Sequence, residues 1–376
     1  MNSIIKKVLR LIVYSIKGDI QYSFSQFNFT NALYSLFLHF KYSKQAFTNK
    51  KAVVFNLEKG DLGRYIFSLI NSYNLCEYDI YLIPNYSFYK SCSGLYIFEI
   101  FKFLNTSMFF CKRQLKKYDY AIFISDIEIK SIDKIFKKNI TIDYKLAFKN
   151  HPYTLPFPFH PLFYINNRFK NFDQIDLFLN PISNTFKKVK IGFAGQINHP
   201  SYSQINRHFP DLINRNRIFE ILFKNFKERI TDKYEKCNNK IFISDSNVNS
   251  IPHKDWPLTL ATFKFFIAPP GFEMPFCHNV IEAMACGVIP ILQYDNYFVP
   301  QLKTNINCLT YKSEEDLINT INFALKMDTV EIERLRNNVL DFYSKYLSPI
   351  SFIKKIEKHS QTSITISIIS GKNSLI

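Results

Sequence analysis

Glycine is scarce in this sequence, which contains 9 glycines and one tryptophan among 376 residues. It has no Gly-x-Gly-x-x-Gly run and no Gly-x-x-x-x-Gly-Lys-Ser/Thr run. These absences argue against a dinucleotide-binding fingerprint and against a phosphate loop of the ATPase type. The seven cysteines include no Cys-x-x-Cys pair, and no cluster of histidine and cysteine has the spacing of a zinc site. The scattered cysteines therefore predict free thiols in a reducing cytoplasm.

Long apolar runs are absent too. No stretch approaches the roughly 20 apolar residues that a membrane-spanning helix needs. The apolar run near the N-terminus stops before Lys17 and is not followed by a small-residue cleavage site, so a signal peptide is not indicated. Hydrophobic residues make up 47% and charged residues 21% of the chain, which excludes a disordered or fibrous protein. The length predicts two domains of ordinary size.

Basic side chains exceed acidic ones by 17, which indicates nucleic acid, a membrane surface or an anionic substrate as a partner. The abundance of Phe, Tyr, Ile, Asn and Lys is typical of AT-rich codons, so part of this charge needs no functional explanation. The first fifty residues hold seven basic side chains and one acid, interleaved with aromatic residues. This segment either contacts an anionic membrane surface or forms a helical pair packed on the body with a solvated basic face.

Apolar runs alternate with helical stretches from residue 51 onwards. Runs at 52–57, 78–83 and 118–124 predict strands, with helices near 65–73 and 96–104. Four prolines within 152–161 cannot continue a helix or a central strand. Runs at 189–195, 240–243, 263–268 and 288–292 then predict a second set of strands, with a helix near 214–226. This alternation predicts two parallel α/β sheets in series.

The predicted organisation has five parts. They are a basic aromatic N-terminal segment (1–50), a first α/β domain (51–180), a second α/β domain (187–330), a C-terminal helix (331–359) and a tail (360–376).

The most informative segment is 268–292, whose sequence is Ala-Pro-Pro-Gly-Phe-Glu-Met-Pro-Phe-Cys-His-Asn-Val-Ile-Glu-Ala-Met-Ala-Cys-Gly-Val-Ile-Pro-Ile-Leu. It predicts a strand end, a Pro/Gly loop, a helix that stops at a glycine, and another strand. The loop at Gly271 delivers backbone N–H groups to the helix start, where the dipole favours an anion such as a diphosphate. His278 and Glu282 share one helix face. A histidine or asparagine at the helix start, His278 or Asn279, suits a diphosphate, and the carboxylate of Glu282 suits a ribose diol.

This segment closely resembles the donor-binding motif of glycosyltransferases with the GT-B fold, whose C-terminal domains carry a Glu-Ala-Met-Ala-x-Gly-x-Pro-like run. Residues 282–290 match that run almost letter for letter, and 191–195 and 307–317 match more loosely. The Gly-Val-Ile-Pro ending is similar to the exostosin-like bacterial branch. The resemblance implies a GT-B fold, with two Rossmann-like doubly wound parallel-sheet domains facing a cleft. It implies that the first domain (51–180) lies on the acceptor side and that the second (187–330) binds the nucleotide-sugar donor. It also implies that Glu282 hydrogen-bonds the ribose of a nucleotide-sugar.

One position departs from the family pattern. Many retaining members place a second glutamate eight residues before the ribose glutamate, and Met274 occupies that position here. Glu273 is one residue off, which leaves its role in the donor site open.

Three arginines follow the first strand of the second domain: Arg207, Arg215 and Arg217. Guanidinium groups there either clamp a diphosphate and stabilise the departing nucleoside diphosphate, or form an ordinary solvated face. No Asp-x-Asp pair is present, which fits the GT-B pattern, in which side chains and a helix end replace a metal ion. We therefore expect no metal site and no cofactor.

The general base is predicted by resemblance. In GT-B enzymes the turn equivalent to 58–64 faces the cleft beside the reacting sugar, so Asp61 is the candidate base of an inverting reaction. The alternative for Asp61 is a turn or helix cap. Asp126, His151 and His160 are rival bases.

The leading hypothesis is a cytoplasmic glycosyltransferase of bacterial surface polysaccharide assembly, peripheral on the inner face of the membrane. It would use a nucleotide-sugar donor and a saccharide or lipid-linked acceptor. The alternative is a non-enzymatic carbohydrate- or nucleic-acid-binding protein. No RNA-recognition or helix-turn-helix signature is present, so no nucleic-acid partner is expected.

Overall fold

The computed structural model describes residues 26–43, 49–58, 65–85, 88–89, 106–107, 112–127, 133–167, 169, 172–185, 187–238 and 240–369. Its helices, in chain order, are α1 (Gln26–Tyr42), α2 (Tyr65–Leu75), α3 (Lys112–Leu115), α4 (Pro161–Asn167), α5 (Phe172–Ser183), α6 (Arg215–Phe226), α7 (Trp256–Ala261), α8 (His278–Ala285), α9 (Glu314–Lys326), α10 (Thr329–Phe342) and α11 (Pro349–Lys358). The predicted helix near 96–104 lies outside the described residues.

The first sheet combines five strands of the first domain with one strand from the end of the chain. The five are β1 (Lys51–Asn56), β2 (Tyr78–Leu82), β3 (Thr106–Ser107), β4 (Tyr120–Ser125) and β5 (Lys138–Ile142). The order is last strand–β5–β4–β1–β2–β3, and every pairing is parallel. The central strands are buried runs of Val, Ile and Phe, as expected for a parallel sheet covered on both faces.

The second sheet has the same number of strands and is also parallel. Its strands are β6 (Val189–Gly195), β7 (Ile230–Thr231), β8 (Ile241–Asp245), β9 (Phe263–Ile267), β10 (Ile289–Leu292) and β11 (Leu309–Thr310). Their order is β11–β10–β9–β6–β8–β7. The two sheets, each of six parallel strands, confirm the prediction of two Rossmann-like domains in a GT-B fold.

The end of the chain returns to the first domain, where a tail was predicted. β12 (Ser363–Ile366) pairs with β5, with Ile364 opposite Ile140, and Ile366 is fully buried. Before this strand, Glu357 on α11 receives hydrogen bonds from Lys51 on β1, at 2.8 Å, and from the Tyr78 hydroxyl on β2. The stretch predicted as a tail thus contains a strand at 363–366, which forms the edge of the first sheet.

The N-terminal segment is described from α1 onwards. The buried ring of His39 lies between the Tyr89 hydroxyl, 2.7 Å from Nδ1, and the Thr106 hydroxyl, 3.2 Å from Nε2. Phe37 and Phe40 face outward, with 56% and 52% of their surface exposed. Within the described part of the chain, no helix has the length and apolar character to cross a membrane.

An extended segment and two helices connect the domains. Residues 155–160 run without helix or strand, as the prolines predict, and α4 then begins at Pro161. Phe157 of this segment stacks on Phe276 of the second domain at 5.5 Å and meets Tyr65 of the first domain edge-on at 5.4 Å. Phe148, which has a φ of 62°, packs against Phe276 at 6.2 Å. Aromatic rings therefore join the two domains.

Three buried lysines cap helix C-termini from the strands or from just before them. Lys187 Nζ donates to the Cys286 carbonyl at the end of α8 at 2.8 Å, and Lys190 Nζ to the Met327 carbonyl at the end of α9 at 2.6 Å. Lys138 Nζ donates to the Ile356 and His359 carbonyls at the end of α11. A cation at this position satisfies orphan carbonyls and complements the helix dipole. Burial lowers the pKa of all three lysines, that of Lys187 to about 8.

The lowered pKa of Lys187 predicts how stability varies with pH. Between the folded value of about 8 and the ordinary value of 10.5, the unfolded chain binds more protons at this lysine than the folded chain. The difference in free energy of unfolding between wild type and Lys187→Met should therefore change in favour of wild type, by about 1 kcal/mol per pH unit from pH 8 to 10. Urea denaturation at several pH values measures this difference. The matched control is Lys240→Met at an exposed site. The difference in free energy of unfolding between wild type and this variant should not change over the same pH range. An equal slope in both variants would contradict the assignment.

Candidate functional site

A cleft of about 900 Å³ lies between the two domains. The first domain contributes Tyr65 at the start of α2, and the connecting segment contributes Phe157, His160 and Phe163. The rest of the lining comes from the second domain, including the end of β6 and the loops that follow β8 and β9. The cleft therefore lies at the carboxyl ends of parallel strands, where open α/β sheets bind ligands.

The wall on the second domain is the loop after β9 and the start of α8. Gly271 N–H donates to the Met274 carbonyl at 3.0 Å, and a Cβ on Gly271 would lie 2.9 Å from the same oxygen. Only glycine fits this turn without a shift. Cys277 precedes the helix and makes no side-chain capping bond, so the cleft meets the N–H groups of its first turn. The predicted helix and its stop at Gly287, which has a φ of 65°, are confirmed.

Arg215 is the buried cation of the cleft. Its guanidinium donates to the Pro270 and Gln196 carbonyls, both at 3.2 Å, to the Tyr202 hydroxyl at 2.7 Å and to Cys277 Sγ at 2.9 Å. It also lies over the Tyr202 ring, 4.2 Å from the centroid. No acidic side chain forms an ion pair with Arg215 among the described residues. A positive charge without a carboxylate partner, beside the helix start, favours an anionic ligand.

Glu282 lies one turn further along α8 and is 3% exposed. Its Oε1 accepts the backbone N–H of His160 at 2.9 Å, and its Oε2 accepts the indole N–H of Trp256 at 2.7 Å. The carboxylate therefore holds together α8, the connecting segment and the start of α7. Glu282 also lines the cleft, so its carboxylate is a negatively charged acceptor in the cleft wall.

The remaining predicted residues of the helix start also line the cleft. Asn279 Nδ2 donates to the Ala194 carbonyl at the end of β6 at 3.2 Å, and His278 lies with its ring 4.7 Å from that of His160. Glu273 is half-buried in the lining and makes no hydrogen bond or ion pair with a described residue. The structure thus brings together Gly271, Glu273, His278, Asn279 and Glu282.

Two of the three arginines lie elsewhere. Arg217 forms a two-pronged ion pair with Glu314 on α9, at 2.6 and 2.7 Å, and contacts Glu220 at 3.0 Å. These contacts lower the pKa of Glu314 through the hydrogen bond from Arg217. Arg207 is exposed at the end of a short 3-10 segment. Neither side chain lines the cleft, so the structure does not support them as donor-binding residues.

Asp61, the predicted general base, lies outside the described residues. Its turn begins at Glu58, whose backbone N–H donates to the buried Asp126 carboxylate at 2.7 Å. Tyr144 donates to the other oxygen of Asp126 at 3.1 Å. Asp126 therefore holds the turn at the end of β1, and His151 accepts the Tyr153 N–H outside the cleft lining. Of the rival bases, His160 alone lines the cleft.

Sequence reasoning missed Trp256 and the stack of Phe272 on Tyr202. The indole of Trp256 lies in the cleft lining, and Phe272 packs face to face on Tyr202 at 4.4 Å. The available signal in the sequence was that the chain contains one tryptophan. In the structure, the indole N–H of this residue donates to Glu282. Among the residues that the structure describes, no group of three or more His, Cys, Asp or Glu is arranged to hold a metal ion.

No protein-family model matches this chain, and a comparison with curated proteins finds no match. Similar solved structures include HepE from Anabaena in complex with UDP, at 12% identity and a TM-score of 0.42, covering 82% of this chain and 98% of that one. Another is a glycosyltransferase from Rickettsia africae, at 12% identity and a TM-score of 0.41, covering 84% and 100%. A third is sucrose-phosphate synthase from Thermosynechococcus elongatus, at 9% and 0.37, covering 82% and 97%.

Of these proteins, the one from Rickettsia africae is named a glycosyltransferase, and HepE was solved with UDP bound. Likenesses this distant transfer neither an activity nor a substrate to the present chain. The resemblance to the exostosin-like branch stays a prediction.

The variants Arg215→Lys and Arg217→Lys form a matched pair. They test which of the two arginines stabilises the second domain. A lysine ammonium cannot replace the planar fork that Arg215 directs at four partners. Since the side chain is buried, we expect Arg215→Lys to lower the free energy of unfolding by about 2 kcal/mol or more. Arg217→Lys weakens an exposed ion pair, so it should lower the free energy of unfolding much less than Arg215→Lys does. Urea denaturation followed by Trp256 fluorescence measures both, and equal losses would show that Arg215 has no special structural role.

Proposed function

We propose that this protein is a glycosyltransferase that moves a sugar from a nucleotide-sugar donor to a saccharide or lipid-linked acceptor. The observation that carries the proposal is the arrangement at the carboxyl edge of the second sheet. There, a glycine turn, a helix start, an arginine without an acidic partner and a buried glutamate line one cleft. A diphosphate fits the first three groups, and a ribose diol fits the fourth.

The donor is proposed to lie along the first turns of α8. Its diphosphate occupies the helix start beside Asn279 and Arg215, where N–H groups and the guanidinium offset the negative charge. The ribose is proposed to lie against Glu282, the carboxylate that also accepts from the His160 N–H and the Trp256 indole. Glu273, with no partner among the described residues, is free to accept from the transferred sugar.

The acceptor is proposed to enter from the first domain. The cleft lies between the domains, so an acceptor on the first sheet would face the sugar held by the second. Asp61 remains the candidate general base, three residues after Glu58, whose N–H donates to Asp126. Charge on the departing nucleoside diphosphate would be stabilised by Arg215 and the helix start, so the proposed reaction needs no metal ion and no cofactor.

The proposed setting is bacterial surface polysaccharide or glycolipid assembly on the cytoplasmic face of the membrane. Support comes from α1, where Phe37, Phe40 and Lys41 are exposed while Leu36 and Leu38 are buried. Aromatic rings beside basic side chains suit the headgroup layer of an anionic membrane.

Binding of donors tests the proposed reaction. Wild type titrated calorimetrically with UDP-glucose and GDP-mannose, in the presence of EDTA, should bind at least one of them. The 2′-deoxy form of the bound donor should bind about tenfold more weakly, because one hydroxyl would leave Glu282. Glu282→Gln should lose this discrimination, and the exposed control Glu314→Gln should keep it.

Two results would overturn the proposal in different ways. Absence of binding to every sugar nucleotide, together with tight and steeply salt-dependent binding of single-stranded RNA, would favour the nucleic-acid alternative. Donor binding that requires added Mg²⁺ or Mn²⁺ would refute metal independence alone.

Sedimentation with vesicles tests the proposed membrane contact. Wild type should sediment with phosphatidylglycerol vesicles and remain in solution with phosphatidylcholine vesicles, because the attraction depends on surface charge. Replacing Phe37 and Phe40 together by Ser should reduce the bound fraction severalfold. The control replaces Phe323, an equally exposed phenylalanine on α9, by Ser and should behave as wild type. Equal binding by all three proteins would remove α1 from the membrane proposal.

A further inference from the structure

Three histidines from three segments form a row in the cleft. His160 of the connecting segment lies in the middle, with its ring 4.7 Å from His278 at the start of α8 and 5.3 Å from His253. The planes of His160 and His253 differ by 18°, so these two rings stack. The sequence places the three residues far apart, and the fold alone brings them together.

The outer ring of the row is firmly positioned. His253 lies in a turn in which the Pro252 carbonyl accepts the N–H groups of Asp255 and Trp256, at 2.9 and 3.1 Å. Trp256 in turn donates to Glu282. One face of the His253 ring lies on His160. Among the described residues, this ring has no other aromatic neighbour. The side chain is exposed and lines the cleft.

The proposed donor pose, on which this inference rests, fixes where the nucleobase must lie. The diphosphate at the helix start and the ribose at Glu282 are separated by one turn of α8, about 6 Å along the axis. In a nucleotide the base is attached at C1′ and the diphosphate at C5′, so the ribose ring separates the two groups along the length of the ligand. The base therefore continues beyond Glu282, away from the helix start. The stack of His160 and His253 lies beside this ribose position, because the His160 N–H and the indole of Trp256, which shares a turn with His253, both donate to Glu282.

We propose that His253, stacked on His160, is the platform on which the nucleobase of the donor lies. The free face of the imidazole offers a flat surface of the size that a base covers, and the ring behind it prevents the platform from tilting. Ser246, Ser250 and Ile251 line the same part of the cleft and would meet the edge of the base. Stacking on a ring accepts any base, so this platform sets affinity, and the loop residues beside it set the choice among bases.

The other exposed aromatic ring of the cleft is Phe272, which stacks on Tyr202 at 4.4 Å and is 40% exposed. The opposite face of this pair is close to Arg215, whose guanidinium lies 4.2 Å from the Tyr202 centroid. Phe272 therefore belongs to the diphosphate end of the cleft. Phe272 is therefore the matched control, because it is an exposed aromatic ring at the diphosphate end of the ligand and not at the base end.

Four proteins test the proposal: wild type, His253→Ala, His253→Phe and Phe272→Ala. Their dissociation constants are measured calorimetrically with whichever of UDP-glucose and GDP-mannose binds wild type more tightly. His253→Ala should bind about tenfold more weakly, because the loss of one stacking contact costs at least that much. His253→Phe should stay within about threefold of wild type. Phe272→Ala should lose less affinity for the donor than His253→Ala does, because Phe272 lies away from the base. Circular dichroism confirms that each variant is folded.

The outcomes separate this inference from the proposed function. If wild type binds neither donor, the proposed function and the platform both fail. If wild type binds and His253→Ala binds equally well, the platform alone fails. A His253→Phe variant as weak as His253→Ala would also overturn stacking, because it would assign the loss to imidazole hydrogen bonds. A larger loss in Phe272→Ala than in His253→Ala would move the base to the Phe272 and Tyr202 pair and overturn the placement at His253.

Discussion

The carboxylate of Glu282 accepts two hydrogen bonds from segments that would otherwise be separate walls of the cleft. One comes from the His160 backbone in the connection between the domains, and the other from the Trp256 indole at the start of α7. A buried carboxylate is stable only when its oxygens are satisfied, so this residue ties the helix, the connection and the turn at His253 into one unit. The placement of the histidine row follows from these bonds, since His160 and His253 both lie beside groups that Glu282 holds.

Positive charge has structural uses in this protein that its net charge does not show. Lys138, Lys187 and Lys190 are buried and bind carbonyl groups at the ends of three helices. Arg215 is also buried and connects the loops after β6 and β9 to the start of α8. The excess of 17 basic residues therefore combines structural cations with those exposed to partners. A count of charges cannot separate the two groups, because the difference is burial, which depends on the fold.

Much of the second domain could be predicted because its signals are local. Buried strands read as continuous apolar runs, and the glycine after α8 marks the end of that helix. β12 could not be predicted, because its pairing with β5 joins residues more than 200 positions apart and neither strand has a long apolar run. Arg215 and Arg217 look alike in sequence. On a helix, however, two residues rotate the side chain by about 200°, which turns Arg215 into the cleft and Arg217 toward Glu314.

The bonds of Glu282 also connect the second domain with the segment between the domains. The His160 N–H donates to Glu282, and the extended segment that contains His160 carries Phe157, which stacks on Phe276 and meets Tyr65. Tyr65 begins α2 and donates to Met274 Sδ in the loop beside Glu273 at 3.4 Å. One carboxylate and a set of packed rings therefore form a continuous line of contacts from α8 to the start of α2, so the two walls of the cleft are held by the same few side chains.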